Sequence, residues 1–193
     1  MAIEILRPNG AGDETSISTQ QPFGGAHWDK VDEVVADDGT TTIATPSTSY
    51  QRDLYSLPTS SGTGTIIKIT VYFVAAKGLS NGSAKASIKS GTTVSDGDEH
   101  ALTGLWAKYS HEWALNPDNS AAWEWEDIDA LQIGVSLISD GAPNSLFCTQ
   151  VYVEVDHTPR WIGTIGGKDI GSIAKFCGKS VTDIAVIGGI SNV

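Results

Sequence analysis

The residues best suited to chemistry in this 193-residue chain lie in one stretch, Trp123-Glu124-Trp125-Glu126-Asp127-Ile128-Asp129. Two carboxylates facing each other across a glycosidic bond can hydrolyse it, and indole faces hold sugar rings. Glu124 and Glu126, however, are two positions apart. On a strand they share one solvated face and cannot oppose each other. The stretch therefore reads as an edge strand whose tryptophans plug a core, with glycan contact as the functional alternative. Trp106 and Trp113 belong to that alternative. The candidate glycan contacts are thus Trp106, Trp113, Trp123 and Trp125, and no residue is assigned a catalytic role.

Other arrangements carry less chemistry. The histidines, His27, His100, His111 and His157, are scattered and no pair has zinc-ligand spacing. His111-Glu112 opens like a metalloprotease helix, but Leu115 stands where the second histidine belongs. Ser172 and Lys175 have S-x-x-K spacing without the companion motifs, and no G-x-S-x-G elbow is present. Asp29, Asp32, Glu33, Asp37 and Asp38 form an acidic cluster. Calcium favours clustered oxygens, yet the ordered loop that would bind it is missing. Asp96-Gly97-Asp98 is only a fragment of one. Cys148 and Cys177 read as small buried hydrophobes rather than a disulfide pair. Neither a metal nor an organic cofactor is expected.

The elements that must position these residues are β-strands. In Thr65–Ala76, Ile67, Ile69, Val71, Phe73 and Ala75 alternate with Lys68, Thr70 and Tyr72, the pattern of a half-buried strand. Ala84, Ala86 and Ile88 alternate with Lys85, Ser87 and Lys89. Leu131, Ile133, Val135 and Leu137 share a face, as do Val151, Val153 and Val155. Asn81-Gly82 carries the strongest hairpin signal; with Ser83 it also spells a glycosylation sequon, here read as a turn. Residues 11–27 read as a loop, and Trp28–Val35 as a helical turn or a bulged strand. One-sided alternation implies antiparallel pairing, and two stacked sheets bury the apolar faces. The expected fold is all-β, an antiparallel sandwich of eight or nine strands, jelly-roll-like because of its long connections.

The composition changes after Pro159. Residues 161–193 carry three lysines against two aspartates, a net +1, whereas the preceding residues carry the rest of a total of −11, which is −12. Asp169-Ile170 and Ile173 are echoed fourteen positions later by Asp183-Ile184 and Ile187. Each copy reads as a short helical turn, too short to stand alone. The expected organisation is a sandwich over 1–159 and an anchoring extension over 160–193 with two helical turns. Its assembly residues are Ile170, Ile173, Phe176, Ile184, Ile187 and Ile190.

The negative charge disfavours nucleic acid as a partner. No apolar run reaches the length of a membrane span, and MAIEILRPNG does not read as a signal peptide.

Two stretches carry a family resemblance. Trp28–Tyr55 reads WDKVDEVVADDGTTTIATPSTSYQRDLY and Trp123–Pro159 reads WEWEDIDALQIGVSLISDGAPNSLFCTQVYVEVDHTP. They resemble β-sandwich virion structural proteins of tailed bacteriophages, in which W-x-x-V-D-E, D-L-Y, D-I-D-A-L-Q-x-G-V and V-x-V-E-V-D recur in this order. The resemblance implies a non-enzymatic subunit of a phage particle: a capsid-decoration, head-fibre or tail-associated protein located in the virion. Other virion structural proteins would be its partners, and it would form a homo-oligomer, a trimer being one option. The alternative is an adhesion module that binds host-surface glycan.

Overall fold

The computed structural model describes residues 1–141 and 146–159 and, beyond them, six two-residue strands between 164 and 191. Twelve strands build two antiparallel six-stranded sheets. The strands are β1 (Ala2–Leu6), β2 (Gly10–Thr15), β3 (Thr19–Gln21), β4 (Thr42–Thr45), β5 (Gln51–Ser56) and β6 (Thr65–Lys77). They continue with β7 (Gly82–Ser90), β8 (Thr93–Asp96), β9 (His100–Ala101), β10 (Ala107–Trp113), β11 (Gln132–Ser139) and β12 (Leu146–Thr158). The first sheet runs β10-β6-β12-β4-β3, with β1 also on β12; the second runs β2-β5-β11-β7-β8, with β9 also on β7. From β5 to β7, and again from β9 to β12, the chain crosses repeatedly between the sheets, the path of a jelly roll.

The core lies between the sheets, where period-two alternation puts it. In the first sheet Val71 pairs with Val153, Phe73 with Val151 and Ile69 with Val155. In the second, Ile133 pairs with Ile88, Val135 with Ala86 and Leu137 with Ala84. All twelve are fully buried, each large one contributing about 1.5–3 kcal/mol. One inward residue departs from expectation. Ile67 is 42% exposed and Ile66 is buried instead. A bulge between Asp156 and His157 of β12 leaves Ile67 without a partner, and one extra residue reverses the alternation.

Several local expectations need correction. Asn81-Gly82 closes no hairpin, because β6 and β7 lie in different sheets. Glycine is needed there for close approach: a Cβ on Gly82 would sit 2.1 Å from the Ile138 carbonyl oxygen. Residues 11–27 are not all loop, since they contain all of β3 and all but the first residue of β2, both short, polar edge strands. Trp28–Lys30 takes the helical alternative, as a single 3-10 turn. The Trp123–Glu126 alternation is not a strand. Trp125–Asp129 is a short helix, α1, because Asp127 accepts the Glu124 N–H (2.9 Å) and acidic residues fill its first turn.

The expected C-terminal helical turns also fail where the chain is described. The six short strands are β13 (Thr164–Ile165), β14 (Lys168–Asp169), β15 (Lys175–Phe176), β16 (Lys179–Ser180), β17 (Val186–Ile187) and β18 (Ile190–Ser191). They pair as β13–β14, β15–β16 and β17–β18. Phe176, Ile187 and Ile190 are therefore strand residues. Two-residue connections containing glycine favour hairpins over helix there. Ile170, Ile173, Ile184 and Cys177 lie outside the described residues. Among the described residues, no helix is long and apolar enough to cross a membrane.

Candidate functional site

The edge strands β2 and β3 close the same side of the sandwich, since only residues 16–18 separate them. Between them and the segment leading into the Trp28–Lys30 turn lies a solvent-open cleft of about 270 Å³. It is lined by Ala11, Thr15, Gln20, Gly25, His27 and Trp28, with Ala26 and Tyr55 completing the wall. Gly24 and Gly25, with φ of +88° and +83°, turn the chain back over the cleft in a backbone region that side-chain-bearing residues avoid.

A buried carboxylate organises this wall. Asp53 on β5 is in register with inward-facing Val135, so its side chain points into the sandwich and is fully buried. Such a group survives only with partners. Asp53 Oδ1 accepts the Ile17 N–H (2.9 Å), Oδ2 lies 2.6 Å from His27 Nδ1, and Oδ2 accepts the Tyr55 hydroxyl (3.2 Å). Burial pushes the Asp53 pKa above the ordinary carboxylate value. The bonds from Ile17, His27 and Tyr55 offset part of that shift. Burial and the nearby Asp53 charge also push the Tyr55 phenol well above 10. The pairing fixes the His27 ring through Nδ1 against the cleft that His27 lines.

The remaining polar wall is less committed. Gln20 Nε2 donates to the Gly25 carbonyl (3.0 Å). Gln20 Oε1 is buried and has no hydrogen-bond partner among the described residues. Trp28 is half-buried and packs against the core. The cleft thus joins an indole to hydrogen-bonding groups of Thr15, Gln20 and His27, while the Asp53 carboxylate buried behind this wall is occupied by three internal partners. Its lining contains no carboxylate, no serine and no cysteine. A two-carboxylate glycosidase mechanism has no basis there.

The tryptophans expected to contact glycan are placed differently. Trp113 is 7% and Trp123 3% exposed. Trp123 Nε1 donates to the Trp113 carbonyl (3.0 Å), and Trp113 Nε1 to Ser95 Oγ (3.0 Å). Both are core residues with almost no indole surface left for a ligand. Trp106 is half-buried beside Gly39, where a Cβ would come within 2.9 Å of the ring. Trp125 is half-buried, edge-on to His157, and donates to the Gly64 carbonyl (2.9 Å). No shared platform joins the four. Asp129 accepts both the N–H and the hydroxyl of Ser60 (2.7 and 2.8 Å), tying α1 to the preceding loop. The sequence reading gives Trp28 and Gln20 no ligand role, and His27 enters it only as one of four scattered histidines. The adjacent His27-Trp28 after Gly24-Gly25 was the available signal.

The acidic cluster is also structural. Asp37 accepts from Thr149 Oγ1 (2.6 Å), from the Thr41 hydroxyl (2.9 Å) and from the N–H groups of Gly39 (3.3 Å) and Thr41 (2.9 Å). Glu33 also pairs with the Thr41 hydroxyl, and Asp29 with Lys30. Among the described residues, no three His, Cys, Asp or Glu side chains converge as a metal site. Cys148 is a free, buried thiol raised to about 12 by burial. On the outer side of the second sheet, Arg52 pairs with Glu14 (2.8 Å) and Asp96 (3.0 Å). Lys89 pairs there with Asp13, and Lys85 with Glu99 (3.7 Å). Each of these three cations is thus paired with carboxylates across the sheet.

No family model and no curated protein matches this sequence. Several solved structures are similar in architecture. The xylan-binding CBM22-1 domain of Xyn10C from Paenibacillus barcinonensis is 11% identical, with a TM-score of 0.44 over 81% of this chain and 97% of that one. The C-terminal CBM6 of LamC from Zobellia galactanivorans is 12% identical, with a TM-score of 0.40 over 80% and 100%. The family 29 carbohydrate-binding module CBM29_1 from Piromyces equi is 9% identical, with a TM-score of 0.40 over 81% and 93%. Likenesses at this level transfer no binding residue. The class that the sheets themselves define is an antiparallel β-sandwich.

Proposed function

We propose that this chain is a binding module, without covalent chemistry of its own, and that the edge cleft takes a neutral carbohydrate. The observation that carries the reading is the cleft wall. The Trp28 indole offers a surface for the C–H face of a sugar ring, and Thr15, Gln20 and His27 offer hydrogen bonds to hydroxyls. Small-ligand sites combine apolar surface with a few placed polar groups in this way. The Asp53 charge is taken up internally, which favours a neutral ligand over a cationic one. The similar solved structures include modules described as xylan-binding and carbohydrate-binding, which accords with this reading but locates no site.

Titration with a panel of neutral oligosaccharides, read by tryptophan fluorescence and calorimetry, tests the proposal. Saturable binding is expected for at least one glycan. Trp28→Ala and Gln20→Ala should each weaken it tenfold or more, about 1.4 kcal/mol, while Trp106→Ala leaves it unchanged. A flat response across the panel, or undiminished binding by Trp28→Ala, overturns the reading.

A second reading, a virion structural subunit, concerns a different part of the chain. One observation favours an assembly role: the three separate strand pairs between 164 and 191. Mass spectrometry of virus particles recovered from the culture that produces the chain tests it. Stoichiometric presence supports the reading, and absence from the particle ends it.

A further inference from the structure

The paired strands beyond the sandwich reveal a period that differs from the fourteen-residue echo. β13, β15 and β17 begin at residues 164, 175 and 186, eleven positions apart. The registers are the same: Thr164 with Asp169 and Ile165 with Lys168, Lys175 with Ser180 and Phe176 with Lys179, Val186 with Ser191 and Ile187 with Ile190. Each register leaves two residues between its strands, and in sequence these are Gly166-Gly167, Cys177-Gly178 and Gly188-Gly189. The eleven-residue spacing extends to Ile162, Ile173 and Ile184, and to Ile165, Phe176 and Ile187. Residues 161–193 are therefore three consecutive copies of one eleven-residue unit.

The three units form three separate two-stranded sheets, and none of their strands joins either six-stranded sheet. An isolated hairpin is at best marginally stable, even with strands longer than two residues. Repeated units become stable by burying their apolar positions against neighbours of equal spacing. We infer that the partner of this segment is the same segment of a second copy of the chain. Two features of the sequence argue for that occupant. An array with apolar residues every eleven positions is matched in spacing by another identical array. The sandwich is also strongly acidic, −12 over residues 1–160, whereas the repeat carries +1. Like charge keeps the bodies of two copies apart, and the repeat, at +1 against −12, is the part of the chain where that penalty is smallest. This inference is independent of the carbohydrate reading.

Light scattering on the full-length chain, from low to high micromolar concentration, gives the test. The measured mass should be at least twice that of one chain and should rise with concentration. In the full-length triple variant Ile165→Asp, Phe176→Asp, Ile187→Asp it should fall at least twofold, to that of a single chain. The near-ultraviolet circular dichroism of the variant should match wild type, showing that the sandwich is intact. A wild-type chain that stays monomeric at high micromolar concentration overturns the inference. So does a folded triple variant that keeps the multimeric mass. If the variant fails to fold, the wild-type concentration series decides alone.

Discussion

Asp53 is the residue on which the cleft wall depends. Its carboxylate holds the Ile17 backbone, the His27 ring and the Tyr55 hydroxyl in one buried constellation. Removing it by Asp53→Ala would leave a buried N–H, a hydroxyl and an imidazole without their acceptor. A loss of about 1–3 kcal/mol for each buried donor left without its acceptor is expected; urea denaturation followed by fluorescence measures it. A change under 1 kcal/mol would mean that the carboxylate is dispensable. Because burial raises the Asp53 pKa, the folded protein holds that proton more tightly than the unfolded chain. The proton-linked part of its contribution is complete below the ordinary value of 3.8 and is lost as pH rises through the raised one. Asp53 therefore opposes acid unfolding.

Acid sensitivity comes instead from residues that fasten one element to another. Burial alone would raise Asp37, but the hydrogen bonds from Thr149, Thr41 and Gly39 hold it below 3.8. Thr149 is the unpaired residue at the β12 bulge between Cys148 and Gln150, so this carboxylate ties β12 to the chain that enters β4. Asp129 is lowered by the Ser60 N–H and hydroxyl, at the junction of α1 with the loop before β6. Groups with lowered values contribute stability above 3.8 that is lost as pH falls through the folded-state value. The melting temperature should therefore drop as pH falls below about 4, and Asp37→Asn should flatten that drop while lowering stability at neutral pH. An unchanged acid limb in this variant would remove Asp37 from the account.

Close approach between strands gives a second prediction at the level of elements. A Cβ on Gly134 of β11 would sit 1.8 Å from the Asp53 carbonyl oxygen of β5. Gly134→Ala must push β5 from β11 and should cost about 1–3 kcal/mol or more, as overpacking does. Denaturant titration reads this directly, and a neutral result would show that the two strands separate freely.

Across the whole molecule, what sequence revealed follows from where burial is one-sided. Ile69 to Ala75, Ala84 to Ile88, Leu131 to Leu137 and Val151 to Val155 place their large apolar residues at every second position because that face meets the opposite sheet, and those strands were legible, although Thr70, Val74, Ser87, Ser136 and Tyr152 between them are buried as well. β2 and β3 were not, because edge strands with polar side chains on both faces carry no such period. The bulge at Asp156 and His157 was silent because it is a property of two strands together. Trp123 to Glu126 misled because alternation over four residues fits a strand as well as a capped helical turn; the Glu124–Asp127 bond decides for the turn. The cleft was hidden for the same reason as the bulge. Its residues come from positions 11–28 and 55 and meet only after β2, β3 and β5 are in place.

The central claim, that the edge cleft receives carbohydrate, is tested most directly by mapping where a sugar touches the protein. Amide and indole chemical shifts of the full chain, followed during titration with an oligosaccharide that saturates its fluorescence, supply the map. The account predicts that the largest changes fall on Trp28 Nε1–H, the Gln20 side-chain amide, Thr15 and residues 25–27, with Trp106 and Trp125 unmoved. Changes centred on Trp106, on Trp125 or on the outer side of either sheet, with the 15–28 region silent, would contradict it.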